Sequence, residues 1–425
     1  MESICTLLQV AVQEDWNIHQ MDVKGAYLHA PIECQVYVQP APGYETANNV
    51  WKLNKSLYGL KQSGRNWHQL LHDFLCDIGF VQSHADPCVF VRRQCGYTIR
   101  LLVWVDDIII TSSKDELLNT VKIQLKNRFN MKDLGTLSSF LGIDFERGID
   151  YVTMSQSRYL KNVLIRFSLN DCKPRNTPCE QNPAAYILDE TSDTEKTDND
   201  TKLYRLMVGS IVYAMTCSRP DLSYVVTKLS QHLSKPENSD WIMVKHVFRY
   251  IKNTVSYTFT FRKLNHEEFR LYAFCDADWA SSLDNGRSIT GYCISINPSG
   301  PPISWRSKKQ ASVALSTCEA EFMALSLTAQ ETAYLTRLIK DLTNFDLKPP
   351  VIKNDNQGTL ALLKNPVKHM KAKHIDIRYH YIRECFQQNQ IAVEYIPSSE
   401  NKADIFTKPQ KKHLLTMFKQ YLFGE

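Results

Sequence analysis

Apolar residues are spaced differently along successive parts of the chain, and the spacing predicts the elements. Residues 4–12 (ICTLLQVAV) are dense enough in apolar positions to predict a helix. Residues 17–23 (NIHQMDV) predict a strand ending at a carboxylate, Asp22, from which GAYL turns away. Residues 51–75 join a basic loop to an apolar-periodic helix. Two β-rich segments, 99–105 and 108–111, flank the pair Asp106–Asp107 and read as a tight hairpin. Leu117, Val121, Leu125 and Phe129 recur at four-residue spacing, predicting an amphipathic helix over 115–129.

Residues 180–200 are polar, acidic and aperiodic, the pattern of a flexible linker. Residues 203–252 predict two or three helices, broken at SRPD (218–221). RLYAFCDADW (270–279) predicts a strand, and SITGYCISI (288–296) and PPISWRS (301–307), split by NPSG, predict a hairpin. Residues 311–342 predict a long helix. VIKNDNQGTLALLK then reads as a strand and a helix, and IAVEYIPSSENKADIFTK as a strand, a loop and a helix. That succession makes a mixed α/β sheet. At 425 residues the chain exceeds one ordinary core, so two or three domains are expected.

Composition narrows the function classes. With 43% hydrophobic and 22% charged residues the balance is globular, and a net charge of +5 permits a nucleic-acid partner without demanding one. The distribution says more. Residues 46–72 hold four basic and no acidic residues, and 353–412 hold eleven Lys/Arg against six Asp/Glu. Residues 180–200 reverse the sign, with seven acids and one lysine. Twelve cysteines without a Cys-x-x-Cys pair argue against a zinc ribbon and a disulfide framework, and for a reduced intracellular compartment. The first residues make a poor signal peptide, and no run approaches the ~18 apolar residues of a membrane span.

Against that background the acids at 106 and 107 stand out, because burying charge is costly unless compensated. A hairpin tip places two carboxylates at a sheet edge, and Asp22 also ends a strand. Three converging carboxylates repel one another unless divalent metal neutralises them, and oxygen ligands suit Mg²⁺. Two such ions about 4 Å apart serve nucleotidyl transfer. The plainer alternative is an Asp-Asp turn chosen for its backbone geometry.

QMDVKGAYL (20–28), LYGLKQSGRNW (57–67), WVDDIII (104–110) and LGTLSSFLGI (134–143) resemble, in this order, the reverse transcriptases of copia-type LTR retrotransposons. YRLMVGSIVYAMTCSRPDLSYVV (204–226) resembles their connecting region. The likeness runs along nearly the whole chain. It implies a polymerase palm with Asp22, Asp106 and Asp107 as the metal-binding triad. It also implies Tyr27 as an aromatic gate against the ribose 2′-OH and Gln62 as a nucleotide contact. Lys61 and Arg65 would hold phosphates. The residues alone read equally as a half-buried core aromatic, a loop amide and a solvated basic face. Two departures stand out: Trp104 replaces the family's usual Tyr before Val-Asp-Asp, and only 21 residues precede Asp22, too few for the fingers. Overpacking by Trp104 beside the ligands would cost geometry. The short start implies either a fragment of a longer Pol polyprotein or a decayed element.

FCDADW, CEAEFMAL, NDNQGTL and SENKADIFTK resemble ribonuclease H, and the copia-type form of it closely. The resemblance implies Asp276, Glu321, Asp355 and Asp404 as ligands of two Mg²⁺, with Mn²⁺ as a substitute. Glu319 and Glu321 are about 200° apart on a helix, so one faces the cleft, and Glu321 lies nearer the apolar stripe. The basic run 367–384 fits a hybrid's phosphates or a solvated face. The loop YIPSSENKAD lacks the histidine common before the last aspartate in other ribonucleases H.

The expected fold class is therefore α/β. An α+β palm of a right-hand polymerase (1–179) leads through an acidic linker (180–200) and a helical connection (201–264) to a ribonuclease H-like mixed α/β sheet (268–412). The expected partners are RNA template, DNA primer, RNA–DNA hybrid and dNTPs, with association with other Pol or Gag products and no membrane. The expected location is the cytoplasm, in a virus-like particle, with nuclear access. The competing expectation is a transposon remnant without polymerase activity that binds nucleic acid or retains ribonuclease H alone.

Overall fold

Strand alternation decides which side of the first sheet is free for chemistry. In the computed structural model, which describes residues 1–44, 49–182, 186, 197–265, 269–280, 286–364 and 373–424, the chain opens with helix α1 (Glu2–Gln13). Strand β1 (Ile18–Val23) follows, then helix α2 (Ser63–Asp77) and strands β2 (Val81–Gln82), β3 (Val89–Gln94), β4 (Tyr97–Trp104) and β5 (Asp107–Ser112). Helix α3 (Asp115–Arg128) and strand β6 (Met131–Thr136) complete the set. The six strands form an antiparallel sheet in the order β2-β3-β4-β5-β1-β6. Met21, Val23, Ile99, Leu101, Val103, Ile108 and Ile110 point to one face. There they pack against Trp67, Leu71 and Leu75 of α2 and Val121 and Leu125 of α3. Each fully buried aliphatic side chain contributes roughly 1.5–3 kcal/mol relative to exposure. Residues 22 and 107, out of phase with that set, are left on the opposite face.

The chain separates into two compact units, one of Gln13–Phe140 with Asp341–Asn344, the other of Met1–Val12, Leu141–Lys340 and Phe345–Glu425. Helix α1 groups with the second unit, where Gln9 Nε2 donates to the Arg262 carbonyl at 2.8 Å and Ser3 Oγ lies 3.3 Å from the Tyr334 hydroxyl.

The second unit contains an antiparallel ladder of β7 (Ile143–Arg147), β8 (Tyr151–Ser155) and β9 (Phe259–Arg262). Its helices α4 (Ser157–Arg166), α5 (Asp198–Cys217), α6 (Ser223–Leu229) and α7 (Asn238–Asn253) share one apolar core. The break at SRPD is a buried knot. Arg219 forms a two-pronged pair with Asp221 at 2.7–2.9 Å, and Tyr250 Oη donates to Asp221 at 2.8 Å. Residues 183–185 and 187–196, most of the expected linker, lie outside the described residues. The segment ends before 200, because Thr197 and Asp200 form a capping box that starts α5 at Asp198.

The last sheet is mixed. Strands β10 (Tyr272–Asp278), β11 (Ile289–Ser295), β12 (Ser304–Lys309), β13 (Val351–Asn354) and β14 (Ala392–Tyr395) lie in the order β12-β11-β10-β13-β14. The β10–β13 and β13–β14 pairs are parallel. The mixed α/β sheet expected from the sequence is thus formed. Helix α8 (Thr317–Thr343) starts six residues later than the apolar pattern predicted, because the Ser316 hydroxyl accepts from Glu319 N at 3.2 Å and caps it. Helices α9 (Gln357–Lys364) and α10 (Lys373–Gln387) follow. Part of the basic run 367–384 lies outside the described residues. KADIF (402–406) is a 3₁₀ turn rather than an α-helix; the helix comes afterwards, as α11 (Lys412–Phe423). Its Tyr421 ring packs edge-on against Phe274 of β10 at 5.7 Å, so the unit extends past residue 412.

Candidate active sites

Asp22 and Asp107 are direct cross-strand partners in the β1–β5 pairing. Like charges so placed repel, and both are half-buried. Burial first, then Asp22 and Asp106, push the Asp107 carboxyl above its ordinary range. Asp106 sits in the two-residue turn between Trp104 and Asp107, where its carbonyl accepts from Val23 N at 2.7 Å. The other turn residue, Val105, has φ 53°, a left-handed conformation that a β-branched residue adopts only under constraint. That constraint comes from Trp67, buried on α2, whose indole Nε1 donates to the Val105 carbonyl at 2.8 Å.

One oxygen of Asp106 accepts from the Tyr58 hydroxyl at 2.7 Å, and Tyr58 in turn lies against the Tyr27 ring, centroids 4.5 Å apart. Burial and then the Asp106 hydrogen bond push the Tyr58 phenol up to about 12. The other Asp106 oxygen, Oδ1, is shielded from solvent and has no hydrogen-bond partner. Oxygen-only donors with one unpaired buried oxygen fit a divalent cation. Gln62 Nε2 is 3.4 Å from Cys34 Sγ, and Lys61 and Arg65 are exposed. Trp104 is 51% exposed beside Asp107, so the expected overpacking does not arise.

In the mixed sheet the acids gather more closely. Asp276 on β10, Asp355 just after β13 and Asp404 in the 3₁₀ turn each place a carboxylate oxygen within 4.8 Å of the others. The geometry and donor chemistry fit a hard divalent cation. Among the described residues no other trio of acids, histidines or cysteines is gathered so tightly, the Asp22, Asp106 and Asp107 set included. Glu321, 6% exposed, lies beside Asp276 but outside the trio. Its two oxygens accept from Ala277 N at 3.2 Å and Asn354 Nδ2 at 2.9 Å. Burial and then Asp276 push the Glu321 carboxyl up to about 9. Burial and then Asp276 likewise raise Asp404 to about 7, against the opposing pull of Lys408. Glu319 serves elsewhere, accepting from Leu315 N at 2.7 Å.

The family description "Reverse transcriptase (RNA-dependent DNA polymerase)" matches residues 1–181. The chain is 36% identical over 427 residues to the retrovirus-related Pol polyprotein from transposon TNT 1-94 of Nicotiana tabacum, covering 99% of this chain and 32% of that protein. It is 37% identical over 410 residues to the retrovirus-related Pol polyprotein from transposon RE1 of Arabidopsis thaliana, covering 96% and 27%. The chain belongs to the Pol polyprotein family of retrotransposons. It spans about a third or less of the length of these curated relatives. A solved structure of a foamy viral protease-reverse transcriptase in complex with RNA/DNA hybrid shares the fold at a TM-score of 0.50 and 12% identity, covering 90% of this chain and 44% of that one. Among the described residues no helix is long and apolar enough to cross a membrane.

Several residues around the acids of this Pol chain were not singled out from sequence. Tyr58 and Trp67 both lie inside LYGLKQSGRNW, but their partners Asp106 and Val105 are 48 and 38 residues away. Asn354 fixes Glu321, Thr407 Oγ1 donates to Asp276, and Lys408 Nζ lies 3.0 Å from Asp404. The last two stand in SENKADIFTK, where the signal is a hydroxyl and a cation three and four residues after the final acid.

Proposed function

We propose that this chain carries RNA-directed DNA polymerase activity in its first unit and ribonuclease H activity in the mixed-sheet part of its second. The observation that carries the reading is that acids distant in sequence meet in both sheets, Asp22 with Asp107 across a strand pair and Asp276 with Asp355 and a turn residue, Asp404. Asp22, Asp106 and Asp107 would hold Mg²⁺ in one site, and Asp276, Asp355 and Asp404, with Glu321 alongside, in the other, two ions per site with Mn²⁺ as a substitute. When bound, the metal supplies activation of the attacking oxygen and charge stabilisation at the leaving one.

The chain's own residues would set the substrates. Tyr27, packed on Tyr58, would set its ring against a ribose 2′-OH and so favour dNTPs over ribonucleotides. Lys61 and Arg65, exposed at the start of α2, attract template and primer phosphates, with Gln62 between them as a hydrogen-bonding group. In the second site an RNA–DNA hybrid would be read by shape, phosphates and 2′-OH groups rather than by base edges.

Primer extension on an RNA template with Mg²⁺ tests the polymerase, comparing the chain with its Asp106→Asn variant. Extension that the variant loses by two orders of magnitude or more is expected, a loss of roughly 3 kcal/mol or more of transition-state stabilisation. Absence of extension from both folded proteins overturns the polymerase reading and leaves hydrolysis of the hybrid's RNA strand as the activity to assay.

A further inference from the structure

The carboxylate trio of the mixed sheet contains a cation of its own. We propose that Lys408 fixes the number of divalent ions this trio holds before substrate arrives: one ion with the ammonium in place, and a second only once the ammonium leaves. The proposal rests on the ribonuclease H reading above.

The geometry begins with one turn of chain. Lys408 N donates to the Asp404 carbonyl at 3.2 Å and Gln410 Nε2 donates to the same oxygen at 2.9 Å, which closes the turn. Lys408 then returns its side chain to Asp404, with Nζ 3.0 Å from Oδ1. Its neighbour Thr407 donates through Oγ1 to Asp276 Oδ2. The same turn therefore places a hydroxyl on one carboxylate of the trio and an ammonium on another.

Charge decides the rest. Asp276, Asp355 and Asp404 together supply three negative charges within one small volume. The ammonium leaves two, which one divalent ion balances. A second ion would set five positive charges against three, at separations where each unit repulsion is large. Glu321 does not relieve this, because both its oxygens are engaged by Ala277 N and Asn354 Nδ2. A phosphodiester arriving at the site changes the balance by adding negative charge. Lys408 is free to follow it: its side chain is 42% exposed on a flexible four-carbon stem. The ammonium would move onto a phosphate oxygen and vacate Asp404 for the second ion.

Mn²⁺ binding to the full-length chain, followed by electron paramagnetic resonance without nucleic acid, tests this. Ions lost in Asp355→Asn are those of the trio, which separates them from ions bound elsewhere. One such ion is expected in the unmodified chain. In Lys408→Gln the expected result is two, the first bound roughly tenfold tighter because one nearby repulsion is gone. Lys408→Ala supplies a second neutral variant, and Lys408→Arg, which keeps the charge, is expected to retain one ion. Unchanged number and affinity in both neutral variants overturns the proposal while leaving the ribonuclease H reading intact. Two ions in the unmodified chain or in Lys408→Arg overturns it equally. If Asp355→Asn loses no ion, the metal reading of the site fails and the proposal fails with it.

Discussion

Tyr58 shows how one side chain controls what an acid is free to do. Its hydroxyl occupies one oxygen of Asp106 while its ring supports Tyr27, so the residue has two separable roles. Tyr58→Phe removes the first and keeps the second. With one hydrogen bond fewer to displace, the Mg²⁺ concentration for half-maximal primer extension is expected to fall by roughly two- to tenfold, the equivalent of a bond worth about 0.5–1.5 kcal/mol. A Mg²⁺ titration of extension checks this, and an unchanged or higher requirement refutes the role assigned to the hydroxyl. Tyr58→Ala also removes the ring under Tyr27, so ribonucleotide incorporation should rise in Ala but not in Phe. Equal incorporation by the two variants would exclude the stacking of Tyr27 as the selectivity device.

Elements carry these residues, and some elements were easier to read than others. The hairpin about Asp106 was visible because two apolar β-rich runs flank a pair of acids, and β1 because a short apolar segment ends on Asp22. Strands β7 (IDFER) and β8 (YVTMS) carry the alternation of a half-buried strand, but at five residues each the pattern is too short to stand out from its surroundings. Strands β2, β3, β6 and β9 went unread as well. The partners within the site were illegible for another reason: Tyr58 on Asp106 and Asn354 on Glu321 depend on register and helix rotation, which no local pattern encodes. Trp67 belongs to this class. It stands inside a recognisable motif, yet its task of holding a strained valine turn emerges only when α2 lies on the sheet. Trp67→Phe keeps the aromatic volume and deletes the N–H, at an expected cost of about 1 kcal/mol. Primer extension should fall by tenfold or more through a loosened turn, while hydrolysis of RNA in a hybrid stays within twofold of the unmodified chain. Parallel loss of both activities would mean general destabilisation rather than a misplaced Asp106. The SRPD knot gives a stability counterpart. Asp221→Asn leaves the fully buried Arg219 without its carboxylate, which should cost about 3–5 kcal/mol and lower the melting temperature markedly. A shift of a degree or less would refute the weight placed on that pair.

At the scale of the whole molecule, each compact unit carries its own set of repelling acids, so stability and pH are linked in both. The Asp404 carboxyl is raised to about 7 and Glu321 to about 9, and Asp107 is raised as well, each with burial as the largest cause. In the unfolded chain these groups ionise near pH 4. Between that range and their folded values the folded chain binds more protons than the unfolded one. The protonated acids' contribution is therefore complete below about pH 4 and is lost as pH rises through about 7 and on towards 9. Chelator-treated protein should melt at progressively lower temperature between roughly pH 6 and pH 9. On the proposed metal reading, divalent cations would be held by the ionised acids of the folded form, so Mg²⁺ should restore more stability at the alkaline end than at the acidic one. Asp404→Asn removes one of the repelling charges: without metal it should melt above the unmodified chain at pH 9 and lose most of that advantage at pH 6. In that variant Mg²⁺ should also protect less. Thermal unfolding with and without Mg²⁺ at the two pH values decides the matter. A melting temperature that rises with pH in chelator, or equal Mg²⁺ protection at both ends, would show that these acids are not the groups that couple stability to metal.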